Sequence, residues 1–324
     1  MHPEMRMFDF IKRFSLPVSL LTGSALYLLF SRVSILMPVG DVAGPMLCDH
    51  VMPVILFVIL YVTFCKIQIK EMMPRTWHFI LQGIRTLLSA AMVGLIVITD
   101  NADLRLILEG VFICIICPTA AAAPVVTEKL GGSIASLTIY TIIANVVTSI
   151  IIPFFFPIVE KEADITFLSA MLMVLRNVTV VLIVPLVLAL LSRKVIPSFT
   201  DWLKSKRDLA FYLWCINLAI VSGVTVRNIL ASTVSGTTLL WLLVLPLFVC
   251  IGLFAIGKSV GKPYGESISA GQALGQKNTV VGIWLTISFL NPLAAVAPGA
   301  YVLWQNMVNA WQLWYKEKYG KLKW

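Results

Sequence analysis

Charge is what this chain has least of. Only 13% of its 324 residues are charged and 59% are hydrophobic, whereas a soluble domain carries roughly a quarter charged residues. Histidine is scarce too, at three copies. No HExxH, GxSxG or phosphate-loop pattern occurs, so hydrolase and ATP-driven pump chemistry lose their usual footholds and the chain is not read as an enzyme. Asp49, His50 and His78 read as interfacial residues rather than ligands. Cys114 and Cys117 have CxxC spacing, but no second pair or nearby histidine completes a zinc site. The six cysteines read as small buried hydrophobes; neither a metal nor a cofactor is expected.

What is present instead is long apolar runs. A helix needs about 20 apolar residues to cross the hydrocarbon core. Ten candidates lie near 15–37, 46–65, 77–98, 104–127, 133–158, 166–192, 207–228, 233–257, 266–290 and 293–315. The short connections leave no room for a soluble catalytic or nucleic-acid-binding domain. Nor is the net charge of +9 a nucleic-acid footprint. Most Lys and Arg fall in the N-terminal arm, the even-to-odd loops and the C-terminal tail. Arg32, Arg105, Lys161 and Arg227 lie on the other side, and Arg85, Arg176 and Lys277 inside spans. That asymmetry is the positive-inside pattern, which predicts an inner-membrane protein with both termini cytoplasmic and the lipid bilayer as its first partner. The basic stretch Met1–Phe14 reads as an interfacial helix rather than a signal peptide, and Tyr315–Trp324 as a basic membrane anchor.

Two of the runs are interrupted. One reads Cys117-Pro118-Thr119, four alanines, then Pro124; the other runs from Gly271 through Gly275-Gln276-Lys277-Asn278 to Thr279. Lipid cannot satisfy bare peptide groups, so such breaks survive only inside protein or beside a wet cavity. Paired breaks in corresponding halves mark the binding site of a secondary transporter. Pro118, Pro124, Gly271 and Gly275 are the expected helix-break residues. The charged link Glu160-Lys161-Glu162-Ala163-Asp164 divides the spans five and five, giving units 1–160 and 161–324. An odd number of spans per unit inverts one unit relative to the other. The expected fold class is therefore all-α membrane protein, ten transmembrane helices in two inverted five-helix repeats.

Polar stripes follow both breaks: Thr138, Thr141, Asn145 and Thr148 in span 5, and Gln305, Asn309 and Gln312, with Asn306 alongside, in span 10. Steps of three and four put each stripe on one helix face. Such residues either bond neighbouring helices or face a polar cavity; their position directly after the breaks favours the cavity. Lys277 is the most telling side chain. A cation at mid-membrane costs at least about 2.5–3.5 kcal/mol. It can bind an anionic substrate, stand where another protein holds a metal cation, or carry a proton; a structural ion pair is the plainer reading. Arg85 and Arg176 lie inside spans too, against one comparably deep acid, Glu109. Excess buried positive charge calls for an anion, and a carboxylate substrate supplies one.

At these residues the chain resembles the bile acid:sodium symporter family. Cys117-Pro118, Gly131-Gly132-Ser133-Ile134-Ala135 and Thr141 are similar to its fourth helix and the start of its fifth. Gly275-Gln276-Lys277-Asn278-Thr279 resembles the ninth, and Ala297-Pro298-Gly299-Ala300 with Trp304-Gln305-Asn306 the stretch entering the tenth. The resemblance implies crossed broken helices 4 and 9 in a core of spans 3–5 and 8–10. It also implies a panel of spans 1, 2, 6 and 7, with an organic anion bound between the two. Departures matter as much. The family's sodium-binding Ser-Asn pair matches Ala123 and Pro124 here, and its Glu and Gln match Ala273 and Lys277; Thr141 alone keeps its type. Alanine, proline and lysine side chains offer sodium no oxygen. The expectation is a secondary active transporter of small organic anions or bile-acid-like carboxylates, working by alternating access without the usual sodium sites, with a proton as the other candidate coupling ion. Lys277, Gln276, Asn278, Thr141, Asn145, Gln305, Asn306 and Arg85 are the expected binding residues. The alternative is a membrane sensor or partner subunit that keeps the fold without ion-coupled transport.

Overall fold

The computed structural model describes residues 14–160, 172, 176, 179–206 and 208–322. The arm 1–13, most of the 160–164 link, Asn177 and much of the 166–192 segment lie outside them. The described regular structure is helical: α1 (Ser15–Arg32), α2 (Met37–Phe64), α3 (Thr76–Val97), α4 (Ala102–Ile116), α5 (Ala123–Leu130), α6 (Ile134–Val159) and α7 (Val184–Val195). There follow α8 (Pro197–Ser205), α9 (Leu209–Leu230), α10 (Gly236–Gly261), α11 (Ser267–Gly275), α12 (Thr279–Phe289) and α13 (Val296–Tyr319).

Among the described residues, five helices are long and apolar enough to cross a membrane: α2, α3, α6, α9 and α10, the last with the short turn to Tyr264. The two interrupted runs do not qualify, because each is split into short pieces: α4 with α5, and α11 with α12. One boundary shifts. α2 begins at Met37 rather than near 46, so Asp49 and His50 sit exposed in a π-turn, Leu47–Val51, within a continuous helix.

Helix starts follow local chemistry. Asn101, Ser133 and Ser235 each accept a backbone N–H two or three residues into the helix that follows, satisfying a donor the first turn leaves without an intrahelical partner. His78 does not behave as an interfacial residue. It is fully buried; its Nδ1 accepts from Arg75 N at 3.1 Å and its Nε2 meets Ser136 Oγ at 3.1 Å, pinning the start of α3 to α6. Gly131, with φ +86°, ends α5 in a left-handed turn that a side chain would strain.

Two principal apolar clusters organise the packing. One unites α1, α2, α7 and α9 with the inner face of α5. The other unites α3, α4, α6, α10, α11 and α13. Small residues let helices touch: a Cβ on Gly23 would lie 1.8 Å from Ala219 O, and beside it Ser24 Oγ and Ser222 Oγ are 2.8 Å apart. Between α10 and α11, a Cβ on Gly257 would lie 2.3 Å from Ala270 O. The loops rich in Lys and Arg converge at one end of the bundle. There Lys66 pairs with Glu128 at 3.0 Å, Arg75 with Glu266, and Lys129 with Asp208, while Lys316 Nζ donates to Lys129 O at 2.8 Å.

Candidate substrate site at a helix crossover

The first break has a simple cause. A residue before proline is driven out of the helical region, and Cys117 accordingly ends α4 at φ −50°, ψ 137°. Pro118 has no N–H to continue the ladder. Pro124 lies in the first turn of α5, where its missing donor costs nothing. The second break is different from the expected one. Gly271 is helical, inside α11, and its role is packing: a Cβ there would lie 2.5 Å from Lys258 Cγ. The expectation that Gly271 breaks the helix is corrected; a glycine that admits a close neighbour is compatible with a helix. Gly275 is the last residue of α11, with the Phe254 ring 2.3 Å from where its Cβ would stand.

The two unwound segments pair with each other. Thr119 and Lys277 form an antiparallel bridge, with Ala120 N donating to Gln276 O at 3.2 Å and Asn278 N to Pro118 O at 2.8 Å. Each break thus satisfies peptide groups that the other exposes. Side chains complete the accounting. Thr119 Oγ1 donates to Ala273 O at 2.6 Å, and Tyr301 OH to Gly275 O at 2.7 Å. Gln305 grips Lys277 by both backbone groups, accepting from its N at 2.8 Å and donating to its O at 3.3 Å.

Two buried cations meet the end of α4. Lys277 Nζ donates to Ile115 O at 2.8 Å and Cys117 O at 3.2 Å. Arg85 donates from Nη1 to Ile116 O and Cys117 O, each at 3.4 Å, and from Nη2 to Ala144 O at 3.0 Å. A helix C-terminus carries unsatisfied carbonyls and the negative end of the macrodipole, so cations are favoured there. Glu109 is engaged elsewhere, with Arg105 at 3.3 Å. The positive charge that the sequence left without an acid is therefore met by backbone carbonyls. Arg176 is exposed and takes no part.

Beside the crossover lies a cavity of about 370 Å³. Its walls are Ala120–Ala122, Gln276–Val281, Val302, Gln305 and Asn306 on one side, and Met52, Pro53, Leu56, Phe57, Val180, Trp214, Asn217, Leu218 and Val221 on the other. The N-terminal ends of α5 and α12 therefore face it. Asn278 lines the wall and caps α12, accepting from Val281 N at 3.3 Å. Among the described residues, Asn217 Oδ1 and Asn306 Oδ1 have no hydrogen-bond partner. Gln276, Lys277, Asn278, Gln305 and Asn306 are brought together as expected. Thr141, Asn145 and Arg85 do not line the cavity; Thr141 Oγ1 donates to Leu137 O and Asn145 Nδ2 to Thr141 O, both on their own helix. Sequence reasoning missed Trp214 and Asn217. A lone Asn within an apolar run was the available signal.

A family model described as the SBF-like CPA transporter family matches residues 34–308. No curated protein matches the chain.

Proposed function

Because the chain belongs to the SBF-like CPA transporter family, we propose that it is a secondary transporter of small organic anions, the bile-acid-like carboxylates among them, working by alternating access. The observation that carries this is the cavity at the crossover, walled by both unwound segments and α13 on one side and by α2 and α9 on the other, and faced by two helix N-terminal ends. Positive dipole ends suit a carboxylate. The unpartnered carbonyls of Asn217 and Asn306 suit hydroxyl donors on the same ligand, since a buried acceptor left unmet costs about 1–3 kcal/mol. A volume of about 370 Å³ is within the range for a drug-sized molecule.

The proposed architecture is ten transmembrane helices in two inverted repeats, 1–160 and 161–324, the α4/α5 break answering the α11/α12 break. On this reading α3–α6 and α10–α13 form the core, and α1, α2, α7 and α9 the panel. The basic end is cytoplasmic. Lys277 is a resident cation: its ammonium occupies carbonyls at the crossover, so transport proceeds without sodium at the family's sites. The side chains of Ala123, Pro124 and Ala273 give that ion no oxygen ligands. The test is counterflow of radiolabelled carboxylates in proteoliposomes, with sodium or choline as the cation. Equal rates are expected; strong sodium dependence would overturn the resident-cation reading. Ligand binding without any counterflow would favour the membrane-sensor alternative.

Alternating access requires core and panel to part at one end while they close at the other. Two ion pairs on adjacent residues of α5 bridge the proposed core to the panel: Glu128 with Lys66 at 3.0 Å, and Lys129 with Asp208. They hold the basic end shut in this conformation. Linking Lys66→Cys to Glu128→Cys with a short bismaleimide, in a background free of native cysteine, is expected to abolish counterflow while leaving substrate binding intact. Full counterflow in the cross-linked protein would refute this gate.

A further inference from the structure

Between α7 and α9 the chain makes a short amphipathic helix whose outer face matches no part of the transport machinery. α8 buries Thr200 and Leu203 against the bundle and turns Phe199 and Trp202 outward, 45% and 53% exposed. Their rings stack, with centroids 5.9 Å apart and planes 19° from parallel. Lys206 Nζ stands 5.6 Å from the Trp202 ring centroid, and Lys204 Nζ is 2.8 Å from Asp201. Lys194, exposed in the last turn of α7, adds a cation to the same connection. Two bulky aromatics held in the open are costly unless something apolar covers them.

The occupant can be identified from charge and continuity. Leu188, Leu191 and Val195 are exposed along α7, and exposed Ile196 and Phe199 follow them in the chain. A lipid-facing span that turns into a short helix of paired aromatics and lysines crosses from acyl chains into headgroups. Tryptophan prefers that depth, and lysines there attract anionic lipid. We propose that α8 is a binding surface for anionic phospholipid, Phe199 and Trp202 seating among the upper acyl chains while Lys194, Lys204 and Lys206 engage the phosphate and headgroup. The lipid is thereby attached to the body built of α1, α2, α7 and α9.

The test titrates short-chain phosphatidylglycerol into the full-length protein in neutral detergent, following the thermal unfolding midpoint. Phosphatidylcholine of the same chain length and inorganic phosphate are the comparison arms. Phosphatidylglycerol is expected to raise the midpoint saturably, the other two not, because both acyl chain and anionic headgroup are needed. Each lysine near a membrane surface is worth about fivefold in affinity. Lys194→Gln alone should therefore raise the half-saturating concentration about fivefold, and the triple Lys194→Gln, Lys204→Gln, Lys206→Gln about 100-fold. Phe199→Ser with Trp202→Ser should weaken binding with the unliganded midpoint held. Equal stabilisation by phosphatidylcholine, or unchanged half-saturation in both lysine variants, overturns the proposal. So does a dimer that dissociates on Trp202→Ser, since a second copy would then be what covers the face.

Discussion

Replacing Lys277 by methionine is expected to reduce counterflow by at least about 100-fold, the rate equivalent of about 2.7 kcal/mol. The side chain is 2% exposed and its ammonium is held by Ile115 O and Cys117 O. Methionine fills a similar volume but donates nothing, leaving Ile115 O unmet at about 1–3 kcal/mol and Cys117 O with only the longer bond from Arg85. The crossover should loosen and the unfolding midpoint fall with the rate. Arginine should not rescue, because a planar fork does not substitute for a compact ammonium in a closed site. The roles open to Lys277 separate on Lys277→Gln: abolished binding marks a substrate ligand, and a changed pH dependence alone marks a proton carrier. A resident cation predicts something else. Lys277→Gln combined with Ala273→Glu restores the oxygen ligands that the family resemblance associates with these positions, so sodium should now stabilise the protein where it did not before. A double variant indifferent to sodium, together with an active Lys277→Met, would sink the resident-cation reading.

Gly23→Val is expected to have the largest effect on stability. A Cβ on Gly23 would lie 1.8 Å from Ala219 O and 2.6 Å from Ala219 C, both backbone atoms that cannot swing aside. α1 must retreat from α9, losing the contact of Ser24 Oγ with Ser222 Oγ and the bond from Ser222 Oγ to Leu20 O, each 2.8 Å. Overpacking costs about 1–3 kcal/mol, and each interhelical hydrogen bond in a membrane protein about 0.6 kcal/mol. The variant should unfold at a markedly lower temperature and accumulate poorly. Gly94→Ala is the contrast, because nothing lies within 4 Å of the added Cβ. Its midpoint should hold or rise, alanine being favoured over glycine in a helix by about 1 kcal/mol. Equal midpoints for Gly23→Val and the parent protein would show that this contact does not hold the helices.

Which features could be read in advance depended on how local their cause is. Pro118 stops α4 through its own ring and the residue before it, and so was visible. Ser133 and Asn278 cap the helices they precede for equally local reasons. Gly271 was misjudged because a glycine in an apolar run serves either a break or a close contact, and the choice rests on Lys258, which comes from α10. Thr141 and Asn145 show the same limit. Their spacing placed them on one face, yet each donates to a carbonyl of its own helix.

Composition and pattern alone determined that this chain is a bundle of apolar helices, that two runs are broken, and that Lys277 lies at one break. These follow from hydrophobic length, proline geometry and the cost of a buried charge, each a property of neighbouring residues. Tertiary structure alone decided what the breaks do. It paired the two unwound segments, set Lys277 and Arg85 on the carbonyls at the end of α4, and brought Asn217 and Trp214 across to form the opposite wall of the cavity. The partners there are mostly backbone groups from distant segments, which every residue carries alike. No pattern of side chains can announce them until the helices cross.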